Sequence, residues 1–259
     1  MFQPDFAQTA DRGPATWRSY LVPQHWEHFT AEEHGVWDTL FARQLPYLGN
    51  RIVTPFIEGI PKLGLDEPGI PNLDRLNERL EPLTGWRLVS VAGIVPDDAF
   101  FAMLAGRRFP IGNFIRAADS LDYLKEPDCF HDIFGHVPML ANPEIARLMQ
   151  ALGQLGVGAI AAGHGEIISR LYWHTVEFGL AREDGEVRIL GAGLASSFGE
   201  AHFALEADVP RPRFTIQGAA STPYRNDVFQ PLYFVSDSLD QVAAELEALD
   251  PGKLATLAA

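Results

Sequence analysis

The chain has 259 residues, of which 47% are hydrophobic and 21% charged, and this composition fits one globular domain with a sizeable core. Its formal net charge of -14 disfavours binding to nucleic acid, and no apolar run is long enough to span a membrane or resembles a secretion signal. The single cysteine, Cys129, excludes an internal disulfide and fits a reducing compartment, so we expect a cytoplasmic protein whose partners are small molecules.

The periodicity of apolar residues predicts a mainly α fold of the α+β class, a single domain of packed helices with a few short strands. Residues 1–25 lack a period and are interpreted as an N-terminal arm, and residues 26–259 as the domain. Thr30 and Glu33 form a capping box that begins a helix over roughly 31–45. Further helices are predicted at 73–84, 97–105, 143–155, 165–181 and 236–249. Strands are predicted at 86–91, 186–190 and 229–235, and a Pro/Gly-rich connector at 55–71.

The densest chemistry in the sequence lies in residues 126–138, where His131 and His136 are five residues apart. On a regular α-helix this spacing separates the side chains by about 140° around the axis, so both could face one metal ion only if the helix deformed. Gly135 tolerates unusual backbone angles and Pro138 would end the helix, so these residues predict such a deformation. Taken alone, the pair fits solvated helix-end histidines more readily than a metal site.

Glu177 lies in the apolar helical stretch 165–181. An ionised carboxylate in apolar surroundings needs a cation, a proton or an arginine partner, and two nearby arginines leave an ion pair as the alternative. Two histidines and one carboxylate from separate helices match the facial triad of non-haem iron(II) oxygenases. The remaining histidines lack ligand-like neighbours in the sequence and are interpreted as packed or exposed: His25, His28, His34, His164, His174 and His202. The sequence therefore favours an iron site formed by His131, His136 and Glu177.

Six stretches between about residue 30 and residue 240 resemble the pterin-dependent aromatic amino acid hydroxylases, and most closely the compact bacterial members that hydroxylate phenylalanine. These stretches are Arg107–Pro110, Asp122–Asp128, Phe130–Pro138, Leu171–Leu180, Gly191–Glu200 and Phe229–Val235. The resemblance implies a single catalytic domain built around a non-haem iron. Animal members add a regulatory domain and an oligomerisation helix, for which this chain has no room, so we expect a monomer.

By this resemblance, His131, His136 and Glu177 are the iron ligands. Five residues match the substrate site of the family: Arg116, Pro127, Trp173, Phe178 and Ser196. Arg116 would hold the amino acid's carboxylate with two parallel hydrogen bonds, and Ser196 would orient the imidazole of His131. The other three would form apolar walls around the substrate ring. Without the resemblance, Arg116 would be interpreted as a surface ion pair, Ser196 as a helix cap and the walls as core.

Five further residues match the family's pterin site: Gly93, Val95, Phe100, Asp132 and Tyr172. In the family, the aromatic ring at Phe100 stacks on the pterin, and the backbone at 93–95 forms hydrogen bonds with it. Without the resemblance, Phe100 would be the buried face of a short helix. The implied cofactors are therefore iron(II) and a tetrahydropterin, either tetrahydrobiopterin or a related reduced pterin.

The implied reaction uses dioxygen to hydroxylate an aromatic amino acid, and phenylalanine would yield tyrosine. Two departures from the family bear on the substrate. Leu124 and Lys125 stand where animal members carry Thr-Pro, a difference that compact bacterial members share. Asn226 stands where the family usually has an apolar residue, so tryptophan and tyrosine stay open as alternative substrates.

Two other classes of function also use these residues. A zinc hydrolase would bind its metal through the same three ligands and would need a general base, for which Asp128 and Asp132 are the candidates. A catalytically silent protein could bind an aromatic amino acid or a pterin as a sensor. Retention of three metal ligands favours the oxygenase over the sensor, because a binding protein has no need of an open metal site.

Overall fold

The computed structural model describes residues 17–122, 126–226 and 228–257. Those residues form eleven α-helices, five short strands and two π-helical turns. The helices are α1 (Ala31–Leu48), α2 (Thr54–Leu63), α3 (Leu73–Thr84), α4 (Asp97–Ala105), α5 (Val137–Leu140), α6 (Pro143–Ala161), α7 (Gly165–Tyr172), α8 (Ala192–Ser196), α9 (Phe198–Glu206), α10 (Ile216–Ser221) and α11 (Leu239–Glu247). The strands are β1 (Arg87–Val91), β2 (Arg108–Gly112), β3 (Leu180–Glu183), β4 (Glu186–Ile189) and β5 (Val235–Ser236). The π-helical turns are Phe130–His136, directly before α5, and Trp173–Glu177, directly after α7.

One hydrophobic core joins most of these helices, and α6 lies near its centre. This helix packs against α4, α7 and α11, and its residues Leu148, Leu152 and Leu155 are buried. Their spacing places them on one face of the helix, which is the pattern that predicted it. The predicted fold class, mainly helical with a small β component, is confirmed.

The strands form two small sheets. β1 and β2 pair in parallel, with Arg87 opposite Arg108, and in the second sheet β3 lies between β4 and β5. The described part of the N-terminal arm runs beside the first sheet, because Leu21 forms a bridge with Val91. The sheet pairing also brings the segment after β1 close to Gly112 at the end of β2, which matters for the site described below.

Local sequence signals correctly predicted the ends of several helices. Thr30 caps α1 by accepting the N–H of Glu33, whose carboxylate in turn accepts the N–H of Thr30. Gly85 ends α3 in the left-handed region with a φ of 74°, a conformation that costs glycine little.

Other predicted elements were wrong or incomplete. The predicted connector at 55–71 contains α2, which tolerates Pro55 because a proline fits the first helical turn, where no N–H partner is needed. The helix predicted at 165–181 leaves α geometry at Tyr172 and ends at Glu177. The strand predicted at 229–235 is reduced to β5, since Pro231 cannot donate a backbone hydrogen bond. The helix predicted at 236–249 begins only at Leu239.

Four aromatic rings fix one face of the turn Phe130–His136 in the core. Phe130 and Phe134 stack with their centroids 4.8 Å apart. Trp37 from α1 packs edge-on against Phe130 at 5.2 Å, and Phe56 from α2 packs against Phe134 at 5.3 Å. Burial of these rings holds the turn in place and leaves its two histidines to face Glu177.

Candidate iron site

The two histidines share a face because the helix widens between them. His131 and His136 lie on the π-helical turn Phe130–His136. In such a turn each N–H bonds to the carbonyl five residues back, so residues five apart lie nearly above one another. The predicted deformation is therefore confirmed, but both predicted causes are wrong. Pro138 does not end the helix; it occupies the first turn of α5, which continues in the same direction.

Gly135 contributes through its size and not through unusual backbone angles, since it is not among the glycines with a positive φ. A Cβ atom at this position would lie 2.8 Å from the carbonyl oxygen of Ala192 and 3.0 Å from its Cβ atom. Only glycine therefore allows the turn to approach the N-terminal end of α8 this closely. That approach brings α8, which carries Ser196, beside His131.

The three predicted ligands meet at one point. His131 Nε2 lies 3.3 Å from Oε1 of Glu177, and His136 Nε2 lies 3.1 Å from Oε2 of the same carboxylate. All three ligand atoms lie within 4.8 Å of one another, and the two imidazole rings are nearly perpendicular. Glu177 belongs to the second π-helical turn, so both halves of the site are placed by widened turns.

The hydrogen bond of Ser196 sets which nitrogen of His131 carries the proton. The hydroxyl of Ser196 donates to the carbonyl of Ala192 at 2.9 Å, four residues earlier in α8. Its oxygen lies 2.8 Å from His131 Nδ1 and must accept there, because its single proton is already used. Nδ1 of His131 is therefore the protonated nitrogen, and the lone pair of Nε2 points toward Glu177.

The protonation states also suit metal binding. Burial lowers the pKa of His131, which favours its neutral, ligating form. Burial opposes ionisation of Glu177, but the neighbouring imidazoles of His131 and His136 outweigh it and hold the pKa of Glu177 below its usual value. Two lone pairs and a carboxylate that converge in a buried place repel one another unless a cation lies between them. The donor set is that of iron(II) sites with two histidines and one carboxylate, so the residues fit the metal.

The three side chains would leave part of the metal's coordination sphere free. Among the described residues, the group of His, Cys, Asp and Glu side chains that could hold an ion here contains only these three. Three ligands on one face leave positions for dioxygen and substrate, which is the arrangement of the facial triad.

A second group of possible ligands lies where the predicted arm meets the domain, contrary to the expectation that its two histidines have no ligand-like neighbours. His25, Glu27 and His28 have ligand atoms within 4.8 Å of one another. All three side chains are more than half exposed, and both histidines are 3.7 to 3.9 Å from Glu27. Exposed groups of this kind are well solvated without a metal, so the buried set is the candidate site.

Arg116 lies beside the site in a buried ion pair. Its Nε and Nη2 donate to the two carboxylate oxygens of Asp128 at 2.8 and 3.0 Å, and its Nη1 donates to the carbonyl of Leu121. Asp128 also accepts the backbone N–H of His131, so the pair is tied to the iron-site turn. A guanidinium has five N–H groups, and these bonds leave one on each of Nη1 and Nη2. The ion pair expected without the resemblance is present but is buried and not at the surface, and within residues 17–122, 126–226 and 228–257 two N–H groups of Arg116 form no hydrogen bond.

Three aromatic rings form a continuous stack beside Glu177. Trp173 stacks on Phe178 with ring centroids 4.8 Å apart, and Tyr224 also stacks on Trp173, with centroids 4.2 Å apart and an angle of 17° between the rings. Pro127, the third predicted wall residue, is exposed and lies next to residues 123–125, which are outside the described part of the chain. The structure thus brings together two of the three predicted wall residues and adds Tyr224.

The residues predicted for the pterin lie on the β1–β2 side of the iron ligands. Phe100 on α4 packs edge-on against Tyr172, whose ring lies 6.4 Å from that of His136. Asp132 accepts the backbone N–H of Gly112 at 2.7 Å, and burial raises its pKa well above the usual value. Gly93 and Val95 follow β1 and are partly exposed, so their backbone is accessible. This side therefore combines exposed backbone, an aromatic face and a buried carboxyl group.

Sequence reasoning missed the polar residues that support the aromatic stack. Glu200, Gln230 and His174 are buried and bond to the segment that carries Tyr224. All three lie in stretches that carry the family resemblance, and that was the available signal. Of the positions noted above as departures from the family, Leu124 and Lys125 fall outside the described residues, and Asn226 is exposed.

In the described part of the chain, every helix is too short or too polar to cross a membrane.

Comparison with known proteins agrees with this site. A family model described as biopterin-dependent aromatic amino acid hydroxylase matches residues 22–250. The phenylalanine-4-hydroxylase of Caulobacter vibrioides is 47% identical over 93% of this chain and 82% of its own length. That of Ralstonia nicotianae is 46% identical over 92% and 76%. A crystal structure of phenylalanine hydroxylase from Chromobacterium violaceum bound to cobalt matches with a TM-score of 0.89 at 43% identity, over 92% of this chain and 87% of that one. The resemblance found in the sequence is thereby confirmed, and the chain belongs to the biopterin-dependent aromatic amino acid hydroxylase family.

Proposed function

We propose that this chain hydroxylates L-phenylalanine to L-tyrosine, with iron(II), a tetrahydropterin and dioxygen. The observation that carries the proposal is the buried convergence of His131, His136 and Glu177 within a chain of this family. The choice of phenylalanine is supported by relatives named phenylalanine-4-hydroxylase that are 46–47% identical over most of the chain.

The chain's own groups would hold the metal in a fixed orientation. His131 Nε2, His136 Nε2 and Glu177 would bind iron on one face, and the hydrogen bond to Ser196 would keep the His131 ring from rotating. When bound, iron(II) and the tetrahydropterin supply the activation of dioxygen. The protein contributes geometry, an open face and a site with little water.

The substrate would lie between Arg116 and the aromatic stack. The two free N–H groups of Arg116 suit a carboxylate, because a planar guanidinium can hold both of its oxygens. Trp173, Phe178 and Pro127 would contact the substrate ring. Since Arg116 is fixed by Asp128 and Trp173 by its neighbours, the ring would be held at a defined distance from the metal.

The pterin would bind on the opposite side, against Phe100 and Tyr172. The ring of Phe100 would stack on it, and the backbone of Gly93 and Val95 would form hydrogen bonds with its polar edge. Burial raises the pKa of Asp132 well above its usual value, and its carboxyl group would lie on the pterin side of the site.

The test is a reaction started from metal-free protein. We expect that anaerobic loading with iron(II), followed by air, phenylalanine and a tetrahydropterin, yields tyrosine together with oxidised pterin. Glu177→Ala should stay folded, as judged by circular dichroism, and lose both iron and tyrosine formation. Tyrosine formation by the metal-free protein, or an unaffected Glu177→Ala variant, would refute the proposal.

The same iron-loaded protein distinguishes the proposed function from the alternative substrates and functions. Offering phenylalanine, tyrosine and tryptophan in competition identifies the preferred ring by product analysis. A zinc hydrolase would retain zinc through purification and form no tyrosine. Its candidate base Asp128 is already bound to Arg116, which disfavours it. A sensor would bind amino acid or pterin without turnover.

We infer further that the chain acts in the cytoplasm as a monomer. The resemblance to compact bacterial hydroxylases supports the monomer, and the buried free thiol of Cys129 fits a reducing compartment. Light scattering should give a mass near the 28.6 kDa of one chain, and twice that mass would refute the monomer. Activity in the soluble fraction of spheroplasts, and not in the periplasmic extract, would support the compartment.

A further inference from the structure

Residues 222–230, here called the Tyr224 segment, are mostly exposed, and residue 227 lies outside the described part of the chain. The segment nevertheless places the ring of Tyr224 on Trp173, with centroids 4.2 Å apart. Trp173 in turn stacks on Phe178, so the segment supports the outer side of the proposed substrate wall. An exposed segment needs specific anchors to hold one conformation, because fixing each residue costs about 1–2 kcal/mol of entropy.

One anchor is at the start of the segment. His174 lies in the same π-helical turn as Glu177 and is buried. Its Nε2 lies 3.0 Å from the carbonyl oxygen of Thr222, and since that oxygen only accepts, Nε2 carries the proton. The ring also packs edge-on against Phe234. The start of the segment is therefore hydrogen-bonded to the π-helical turn that also carries Glu177.

The other anchor is Gln230, whose side chain is 1% exposed. Its Nε2 donates to the carbonyl oxygens of Arg225 and Val228, and its Oε1 accepts the N–H of Arg225. One buried amide thus bonds to backbone groups on both sides of the segment's bend. These bonds replace the regular secondary structure that the segment lacks.

Glu200 on α9 fixes Gln230 itself. Its Oε1 accepts the backbone N–H of Gln230 and the hydroxyl of Tyr233, both at 2.9 Å. Glu200 is 7% exposed and Tyr233 is fully buried. A buried carboxyl group is costly to keep for stability alone, because apolar residues of the same size often serve the fold as well. Both hydrogen bonds of Glu200 are formed with residues at or just after the C-terminal end of the Tyr224 segment, namely Gln230 and Tyr233.

We propose that Glu200 and Gln230 are positioning residues, which hold the Tyr224 segment so that Tyr224 stays stacked on Trp173 and the substrate ring is held toward the iron. The inference rests on the proposed function and deepens it. A ring that is poorly held leaves the metal and pterin able to react with dioxygen without hydroxylating the substrate. The expected signature is therefore a loss of coupling, meaning less tyrosine formed for each tetrahydropterin oxidised.

The test is the variant Gln230→Ala, assayed as iron-loaded enzyme with phenylalanine and a tetrahydropterin. We expect KM for phenylalanine to rise by about tenfold, since the variant loses the three hydrogen bonds of the Gln230 side chain and tenfold corresponds to the net contribution of about one such bond. The coupling ratio should fall clearly below that of the parent enzyme, while iron content and KM for the pterin stay the same. Glu200→Ala should act in the same direction, and Glu200→Gln, whose side-chain oxygen can accept the same two bonds, should restore coupling.

Asn77→Ala is the matched control, since it removes a buried amide whose bonds run to the backbone of Leu88. It should lower the melting temperature and leave coupling unchanged. If Gln230→Ala does not fold, Tyr233→Phe keeps the ring, removes one bond to Glu200 and should show a smaller loss of coupling. Variants that fold with the parent's coupling and KM would overturn the inference, whereas a parent enzyme that forms no tyrosine would refute the proposed function instead.

Discussion

The hydroxyl of Ser196 has its one proton committed to Ala192, so it can only accept at His131. That single bond selects the tautomer of His131 that offers Nε2 to a metal. Hydrogen bonds of this kind orient the ligand ring and raise its basicity. We therefore propose that Ser196 acts on the electronic properties of His131 as well as on its orientation.

For Ser196→Ala we expect the affinity for iron(II) to fall by about 10–100-fold, because His131 loses the acceptor of its Nδ1 proton. Titration of the metal-free protein with iron(II) or cobalt(II) under anaerobic conditions measures this. Ser238→Ala is a suitable control, since Ser238 caps α11 and should lower stability by about 1 kcal/mol without affecting metal binding. Equal affinity in Ser196→Ala and the parent would contradict the tautomer argument.

Breaking the buried ion pair of Arg116 and Asp128 should lower stability more than breaking an exposed ion pair. Asp128 is fully buried, so Arg116→Ala leaves an uncompensated carboxylate beside the iron-site turn. We expect a loss of about 3–5 kcal/mol in the free energy of unfolding, measured by urea denaturation. Arg147→Ala breaks an exposed pair with Glu247 and should change stability little.

This expectation alters how the carboxylate clamp must be tested. A rise in KM for Arg116→Ala can come from loss of the clamp or from displacement of the turn that Asp128 holds. Replacing both residues, in Arg116→Ala with Asp128→Asn, should recover part of the stability but none of the affinity for phenylalanine. Recovery of KM in the double variant would show that Arg116 acts only through Asp128.

At the scale of elements, the two π-helical turns and their close neighbours form the site. Gly135 is the point of closest packing between the turn Phe130–His136 and α8. For Gly135→Ala we expect a loss of about 1–3 kcal/mol, because the added methyl group overlaps Ala192 and neither backbone can move freely. The hydrogen bond between His131 and Ser196 crosses the same contact, so metal affinity should fall as well.

Gly35→Ala is the matched control for that variant. Gly35 lies in α1, and a Cβ atom there meets nothing within 4 Å. Alanine at this helical position should be neutral or raise stability by up to about 1 kcal/mol. Thermal melts of both variants with and without metal distinguish the effects, and a neutral Gly135→Ala would contradict the packing argument.

The elements that could be predicted from the sequence are those with local causes. The capping box at Thr30 and the glycine after α3 determine helix ends through neighbouring residues alone. The histidine spacing predicted a deformation at the first π-helical turn but not its type, and the second turn was not predicted, since a 3.6-residue period describes the helix and hides one extra residue. α2 was missed because its two prolines outweighed the buried spacing of Phe56, Ile60 and Leu63.

In the site, the convergence of the three candidate metal ligands was predictable because these residue types have few other uses together. Arg116 shows the limit, since the sequence cannot tell that its partner would be Asp128, twelve residues away. Tyr224 depends on a contact with Trp173 in the second π-helical turn and Gln230 on a contact with α9, and only the complete fold creates these contacts. Aromatic and amide residues are common in loops, so the only signal was that Gln230 lies in a stretch that carries the family resemblance.

For the whole molecule, Glu200 should make stability depend on pH. Burial raises its pKa to about 7, with repulsion from Glu177 adding to the effect, against an ordinary value of 4.5. Between these values the folded protein holds a proton that the unfolded chain has released, so its contribution to stability is present below about pH 4.5 and is lost as pH rises to about 7. The full contribution is about 3 kcal/mol.

Urea denaturation of the parent and of Glu200→Gln between pH 5.5 and 8 measures this contribution, because all other groups are common to both. We expect the parent to lose stability relative to the variant as pH rises, with no further change above about pH 8. Parallel curves would show that Glu200 has an ordinary pKa in the folded protein.

The turn Phe130–His136 contains one residue more than an α-helix would need to place its two histidines on one face. Deleting that residue would restore a regular α-helix with the two rings four positions apart, so they would still meet. Because the chain completes about one full turn between the histidines in either case, Val137 and Leu140 would keep their orientation toward the core. The length of this turn can therefore change by one residue without a change in the packing of the helix that follows.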